Sequence, residues 1–315
     1  MEKAKQTLPS PKLSSKENAK IRQLVDCYYG VQKTRCQAAN RINMLARDYK
    51  MPKKEAEHLH VLTDSEMQRI EDSIKREITL LVKETAVFLW FQQVKGIGPV
   101  LSAGLVSGIQ SVSSEERNFG TVSKLWKYCG MATEQVCKEC KKPIPENKEA
   151  YIEYAIKRFK EFKKKPTKKE VEAKRKTIET HLCKCNTPTL ITVAQRKRTG
   201  LPLSYSPFMK VLCWKVGEQF NKLINNKDAY YAQWLMRFKA EEKKKNPKMT
   251  KGHIHNRAKR KAVKLFLSHL WDVWRQIEGA PHEKSYYERK TGHTPEPPPH
   301  TEFIETIRRT TGKKP

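Results

Sequence analysis

Lys95-Gly96-Ile97-Gly98-Pro99 decides the fold, because it joins the apolar run Ala86-Val87-Phe88-Leu89-Trp90-Phe91 to Leu101-Ser102-Ala103-Gly104-Leu105-Val106. Two glycines flanking one aliphatic residue permit a tight turn with backbone N–H groups facing outward, and Pro99 suits the first turn of the helix that follows. Two apolar helices joined in this way predict a helix-hairpin-helix. The amides and the positive end of the second helix form an anion site indifferent to base identity, so Lys95, Gly96, Ile97 and Gly98 are candidate phosphate-binding residues. A purely structural turn between two helices is the competing reading.

Charge points the same way. The 315 residues carry 64 Lys and Arg against 34 Asp and Glu, a formal net charge of +30, which exceeds what solubility asks of a domain and implies a polyanionic partner. No run approaches the roughly 20 apolar residues of a membrane-spanning helix, and Met1-Glu2-Lys3-Ala4-Lys5-Gln6 has no apolar signal core, so the expectation is a cytoplasmic protein with no membrane partner. A hydrophobic fraction of 37% suits extended helices and basic arms around one modest core. Two stretches are strongly basic: Lys138 to Lys184, with sixteen cations and eight acids, and Arg237 to Lys264, with twelve cations and two acids. In the first, the acids fall at helix-pair spacings, as on a solvated face. The second is almost unneutralised, and its Arg257, Lys259, Arg260, Lys261 and Lys264 are candidate phosphate contacts whose affinity should fall with salt.

Periodicity divides the chain. Residues 1–17 are polar and contain Pro9 and Pro11, so they are expected to be disordered. Residues 18–93 read as an antiparallel helical hairpin or coiled coil, in which two copies of the chain could also pair as a homodimer. Its first helix runs from about Asn18 to Tyr49 on Ile21, Leu24, Val25, Tyr28, Val31, Ile42 and Leu45. After a break near Pro52, Thr63-Asp64-Ser65-Glu66 reads as a capping box opening the second, striped by Met67, Ile70, Ile74, Ile78, Leu81 and Val82. The helix-hairpin-helix domain is expected over 94–136 and 186–280. It includes helices from Val122 to Cys129, from Pro207 behind an Ser206 cap, from Tyr230 to Ala240 and from near His255. Residues 281–315, with prolines from Pro295 to Pro299, are expected to be a loose arm.

The interruption at 137–185 reads as an inserted zinc-binding module. Cys137-x-x-Cys140 and Cys183-x-Cys185 each supply two thiolates from one turn, and together they close a tetrahedron around a redox-inert metal, in the manner of a zinc ribbon. His181 is the alternative fourth ligand, because Cys-x-Cys is a less usual pair. With four protein ligands the zinc is structural. Cys27, Cys36, Cys129 and Cys213 sit on apolar helix faces and read as small core residues. The fold class is therefore mainly α: a long helical hairpin, then a helix-hairpin-helix domain with an inserted four-cysteine module.

The order of these pieces resembles the C-terminal transposase domain of insertion-sequence transposases related to the Piv/MooV DNA invertases. The matching residues are Val94-Lys95-Gly96-Ile97-Gly98-Pro99, Ser107-Gly108-Ile109, Phe119, Leu125-Trp126-Lys127-Tyr128-Cys129-Gly130-Met131, Arg198-Thr199-Gly200 and the helix from Pro207. The resemblance implies DNA binding in transposition or recombination. Members of that family begin with an RuvC-like nuclease domain of roughly a hundred residues that holds magnesium. Only 17 residues precede the first expected helix here, so the expectation is that an RuvC-like partner supplies cleavage. The family domain is thought to use a serine after the block matching Leu125 to Met131, where this chain carries its cysteine module. Ser204 and Ser206 are the nearest candidates, although a cap explains Ser206 and no base stands near either in sequence. An active recombinase forming a serine–DNA link is thus the second reading. A factor binding structured RNA, with Trp214, Trp234 and Tyr230 as stacking groups, is the third.

Overall fold

The computed structural model describes residues 13–113, 119–163, 165–280 and 296–300. Residues 1–12 of the expected disordered arm lie outside them, as do residues 114–118 and the C-terminal arm apart from 296–300. The elements are, in chain order, α1 (Ser15–Asp48), α2 (Lys53–His60), a π-helical turn (Val61–Ser65), α3 (Glu66–Val82), α4 (Ala86–Gln93), α5 (Pro99–Ile109), α6 (Val122–Tyr128), β1 (Thr133–Cys137), α7 (Lys148–Phe162), α8 (Lys168–His181), β2 (Leu190–Ala194), α9 (Pro207–Lys222), α10 (Tyr230–Lys245) and α11 (Lys251–Glu278). The chain is mainly helical, with one two-stranded sheet among the described residues. None of these helices is long and apolar enough to cross a membrane. Contacts group residues up to Gly120 with those from Trp214 onward into one compact unit, and Thr121–Cys213 into another. These boundaries fall outside the ends of the cysteine stretch, so α6, both strands and the start of α9 belong with the cysteines.

In the first unit, α1 starts three residues earlier than its apolar pattern suggests. Ser14 and Glu17 form a reciprocal capping box there, each side chain accepting from the other's backbone N–H. The contacts between α1 and the α2–α3 arm run in opposite chain directions: Lys20 pairs with Glu77 at 2.8 Å, Arg35 with Glu71 at 2.5 Å and Asp64 at 3.1 Å, and Asn43 with His60 at 3.2 Å. Ile21, Val25, Ile78 and Val82 are fully buried along this arm. The capping box expected at Thr63 does not form. The helix continues through a π turn, and Thr63 donates its hydroxyl to the Leu59 carbonyl at 2.9 Å instead of accepting at a helix start. Cys27 and Cys36 are exposed rather than core residues, whereas Cys129 and Cys213 are buried.

Every residue of α5 from Val100 to Ile109 is buried, so α5 is a central rod of this unit. Trp90 of α4 stacks on Phe266 of α11 at 6.0 Å between ring centroids, and Phe220 of α9 stacks on Tyr231 of α10 at 5.1 Å. α11 begins at Lys251, ahead of the expected His255, because the Thr250 side chain accepts from the His253 N–H. The proline-rich segment departs from a loose arm at residues 296–300. Trp90 Nε1 donates to the Pro299 carbonyl at 3.2 Å, and His269 Nε2 lies 2.9 Å from the Glu296 carbonyl. A carbonyl only accepts, so Nε2 carries the proton and Nδ1 accepts from the Tyr231 hydroxyl at 2.9 Å. Burial holds this neutral imidazole down at about 4.

In the second unit, β1 and β2 pair antiparallel from Thr133 opposite Ala194 to Cys137 opposite Leu190. α7 and α8 bury Ile152, Ala155, Ile156, Ile178 and Leu182, with Tyr151, Val171 and Leu201 packed alongside. α6 ends at Tyr128 with Cys129 as its C-cap, and Gly130 follows with φ +65°, where a β-carbon would stand 2.8 Å from the Lys210 side chain.

Candidate nucleic-acid interface and metal centre

The turn between α4 and α5 is built as its sequence dictates. Ile97 N–H donates to the Val94 carbonyl at 3.1 Å, and Gly96 takes φ +96°, a conformation L side chains rarely adopt. A β-carbon on Gly96 would also stand 2.9 Å from Leu223 Cδ1. Gly98 differs. Its φ of −82° and ψ of 174° suit any residue before proline, and the space where its β-carbon would go is empty to 4 Å. Gly98 is the N-cap of α5 and has no side chain to close it, and Pro99 has no N–H. The first-turn amides of Val100 and Leu101 are therefore the groups that a helix start leaves without intrahelical partners.

A cavity of about 720 Å³ faces this turn, lined by residues 94–101 together with Tyr28, Tyr29 and Gln32 of α1, Lys75 of α3 and Lys215, Glu218, Gln219 and Lys222 of α9. Its cations differ in their engagement. Lys95 is paired with Asp228 at 2.9 Å. Lys75, Lys215 and Lys222 have no ion pair to a carboxylate among the described residues. Lys215 lies 3.7 Å over the Tyr29 ring, and its ammonium is held below the ordinary lysine range by burial first and by Lys222 second. The one acid in the lining, Glu218, is paired with Lys259 at 2.5 Å. These three lysines are functional candidates that sequence reading missed. They lie on three separate turns of α3 and α9, and only the fold gathers them.

The basic stretch at the start of α11 is more engaged than its composition suggests. Arg257 and Lys261 pair with the buried Glu242 at 2.7 and 2.6 Å. Lys259 is buried, paired with Glu218 and 3.4 Å over the Trp214 ring. Burial holds Arg260 and Lys264 below their ordinary ranges. Lys259 thus belongs to the core of its unit and does not offer a surface contact to phosphate. Tyr230 and Trp234, read as stacking groups, pack on each other and on Tyr231, His269 and Phe238.

The cysteines converge. The Sγ atoms of Cys137, Cys140, Cys183 and Cys185 all lie within 4.8 Å of one another, with Cys137 to Cys185 at 3.8 Å and Cys140 to Cys183 at 3.5 Å. Four cysteines so placed could hold a metal ion. The end of β1 supplies Cys137, and a turn through Lys141 at φ +57° brings Cys140 back beside it, with Lys141 N–H donating to the Cys137 carbonyl at 3.0 Å. Cys183 is anchored to the same turn through its N–H to the Pro143 carbonyl at 3.2 Å. The Lys142 N–H draws the Cys140 thiol down to about 7, while the hydrogen bond from Cys137 to Glu139 holds the Cys137 thiol up at about 12. His181 is not part of the cluster. Its Nδ1 lies 2.7 Å from the Thr177 carbonyl, and its ring fills the space over Gly200.

Ser204 Oγ accepts from the Gln195 amide at 2.7 Å, and Ser206 Oγ accepts from the Met209 N–H at 3.3 Å as the cap of α9. An amide nitrogen donates and cannot take a proton, so Gln195 does not activate Ser204 as a base would. No family model, no curated protein and no solved structure matches the chain.

Proposed function

We propose that this chain binds nucleic acid and grips the phosphate backbone of DNA at the Gly96–Gly98 turn. The observation that carries the reading is the open face of Gly98 on a cavity edged by Lys75, Lys215 and Lys222. The Val100 and Leu101 amides and the positive end of α5 receive a phosphate oxygen, and the lysines neutralise the phosphates beside it. Such contacts read no base edge, so binding is independent of sequence. The order of motifs resembling a transposase domain supports a role in DNA transposition or recombination, with cleavage supplied by a partner such as an RuvC-like nuclease. The surroundings of Ser204 and Ser206 favour this over a chain that forms its own serine–DNA link.

Zinc is the metal we assign to the four-cysteine centre. Thiolates suit it, and the Sγ separations of 3.5 and 3.8 Å lie close to the edge of about 3.8 Å expected for a tetrahedron with Zn–S bonds of about 2.3 Å. Four thiolates would fill its coordination shell, so its work is to fold the module.

The test is fluorescence anisotropy of a labelled duplex against salt, comparing the protein with its Lys75→Glu/Lys222→Glu variant. Both positions are exposed, so folding is retained. The variant should bind at least about tenfold more weakly on every sequence tried and lose about two units of salt slope. An unchanged affinity and slope would remove the cavity from the interface.

A further inference from the structure

Residues of the loop after β2 line two further cavities of about 380 and 260 Å³, which share Pro143, Arg196, Arg198 and Leu201 in their walls. The smaller is lined by Lys141, Lys142, Arg196, Lys197, Arg198 and His181, with no carboxylate in its wall. Arg198 is already committed to Glu134 at 2.5 Å and Lys142 to the Thr180 carbonyl at 2.7 Å. Lys141, Arg196 and Lys197 are exposed and carry no ion pair among the described residues. The larger cavity has a different character. Tyr151, Ile144 and Pro202 give it an apolar wall that the smaller one lacks, Lys127, Glu134 and Glu146 add charged groups, and Gln195, which is 4% exposed and whose side-chain oxygen has no hydrogen-bond partner, is among its lining residues. A buried acceptor left unpaired in a folded chain calls for an explanation, and a partner that the protein alone does not supply is one.

The geometry points to a nucleotide-binding site on this unit: Lys141, Arg196 and Lys197 take the phosphate, and the neighbouring cavity takes the base of a single-stranded segment. A base is flat and apolar on its faces and carries N–H donors at its edge, one of which a small shift of the Gln195 amide would satisfy. A stacked duplex keeps its bases from such a cavity, so the ligand is single-stranded. The site is built on the metal centre. Lys141, Lys142 and Pro143 follow Cys140 directly, and the turn that carries them is closed by Lys141 and Cys137 N–H bonds across the cysteine knuckle. Metal loss should therefore abolish this binding along with the knuckle. The site shares no residue with the hairpin cavity, so the two readings stand or fall separately.

The experiment uses the full-length protein, a labelled eight-nucleotide single strand and an abasic strand of the same phosphate count. Arg196→Glu/Lys197→Glu should weaken binding to the single strand at least about tenfold, while the double variant retains its metal. Tyr151→Ala should lower affinity for the strand with bases and leave the abasic strand unchanged. Wild-type affinity in a metal-loaded Arg196→Glu/Lys197→Glu protein would overturn the phosphate site. Equal losses of both strands in Tyr151→Ala, or preserved binding after chelation with EDTA, would overturn the base cavity or its dependence on the metal.

Discussion

The two glycines of the turn between α4 and α5 should separate stability from binding when each is replaced. At Gly96 an alanine must hold φ near +96° with its β-carbon 2.9 Å from Leu223 Cδ1, and strained backbone of this kind costs about 1–3 kcal/mol. At Gly98 the dihedrals are ordinary and the space is open. A side chain there costs the native state nothing and restricts the unfolded chain, so Gly98→Ala should leave stability unchanged or raise it by up to about 1 kcal/mol. Gly98→Val should behave similarly while filling the space through which a phosphate oxygen approaches the Val100 and Leu101 amides. Loss of one charged hydrogen bond of this kind is worth about 1.5–3 kcal/mol, which corresponds to a roughly ten- to hundredfold weaker complex. Urea unfolding followed by circular dichroism gives the first quantity, and duplex anisotropy at fixed salt gives the second. Wild-type DNA affinity in a folded Gly98→Val protein would refute the amide grip. A Gly98→Ala variant as unstable as Gly96→Ala would refute the backbone argument behind it.

Purified protein should contain one zinc per chain, and Cys140→Ser should lose it with much of the fold of its unit, where such a site contributes on the order of 10 kcal/mol; mass spectrometry of the metal under native conditions decides this. Replacing Glu242 by Gln leaves Arg257 and Lys261 without their shared carboxylate and should destabilise by about 1–3 kcal/mol. Although burial works against ionisation, hydrogen bonds from Lys261 and Arg257 hold the Glu242 carboxyl below its ordinary range. Its stabilisation is therefore present above the unfolded pKa and disappears as pH falls through the lowered one, so the Gln variant should lack that acid-dependent loss. His269 has the opposite charge type: the folded imidazole protonates near 4, against 6.5 when free, so the unfolded state binds the extra proton between these values. Stability should fall as pH drops from 6.5 to 4, by on the order of 3 kcal/mol, and His269→Gln should flatten that part of the profile.

Local chemistry was legible in the sequence where near neighbours determine it. The glycine pair with Pro99, the Ser206 cap and the meeting of Cys137, Cys140, Cys183 and Cys185 could be read from spacing alone. Thr63 could not, because Thr-x-x-Glu forms a box only where a helix begins, and here Pro52 opens the helix early enough to run through it. The basic stretch from Arg257 was misleading for a similar reason: its neutralising partners, Glu218 and Glu242, arrive from α9 and α10. His181 was a plausible ligand by distance along the chain, yet it lies in the last turn of α8 with its imidazole already bonded to Thr177. Lys75, Lys215 and Lys222 carry no local signature, and the partners of the 296–300 segment are remote aromatic groups.

The cysteine knuckle has a consequence in the statistics of chain loops. Cys140 and Cys183 stand 43 positions apart, so a metal joining them turns everything between into a ring. The entropy of closing a ring grows only with the logarithm of its length, about 0.6 kcal/mol for each doubling. Most of this ring is moreover not free chain, since α7 and α8 bury Ile152, Ala155, Ile156 and Ile178 in a core of their own. The helical pair is thus a passenger that the ring carries at little entropic cost. Its length, and its surface away from Tyr151, can vary widely, while the handful of residues on either side of the four sulfurs keep their geometry.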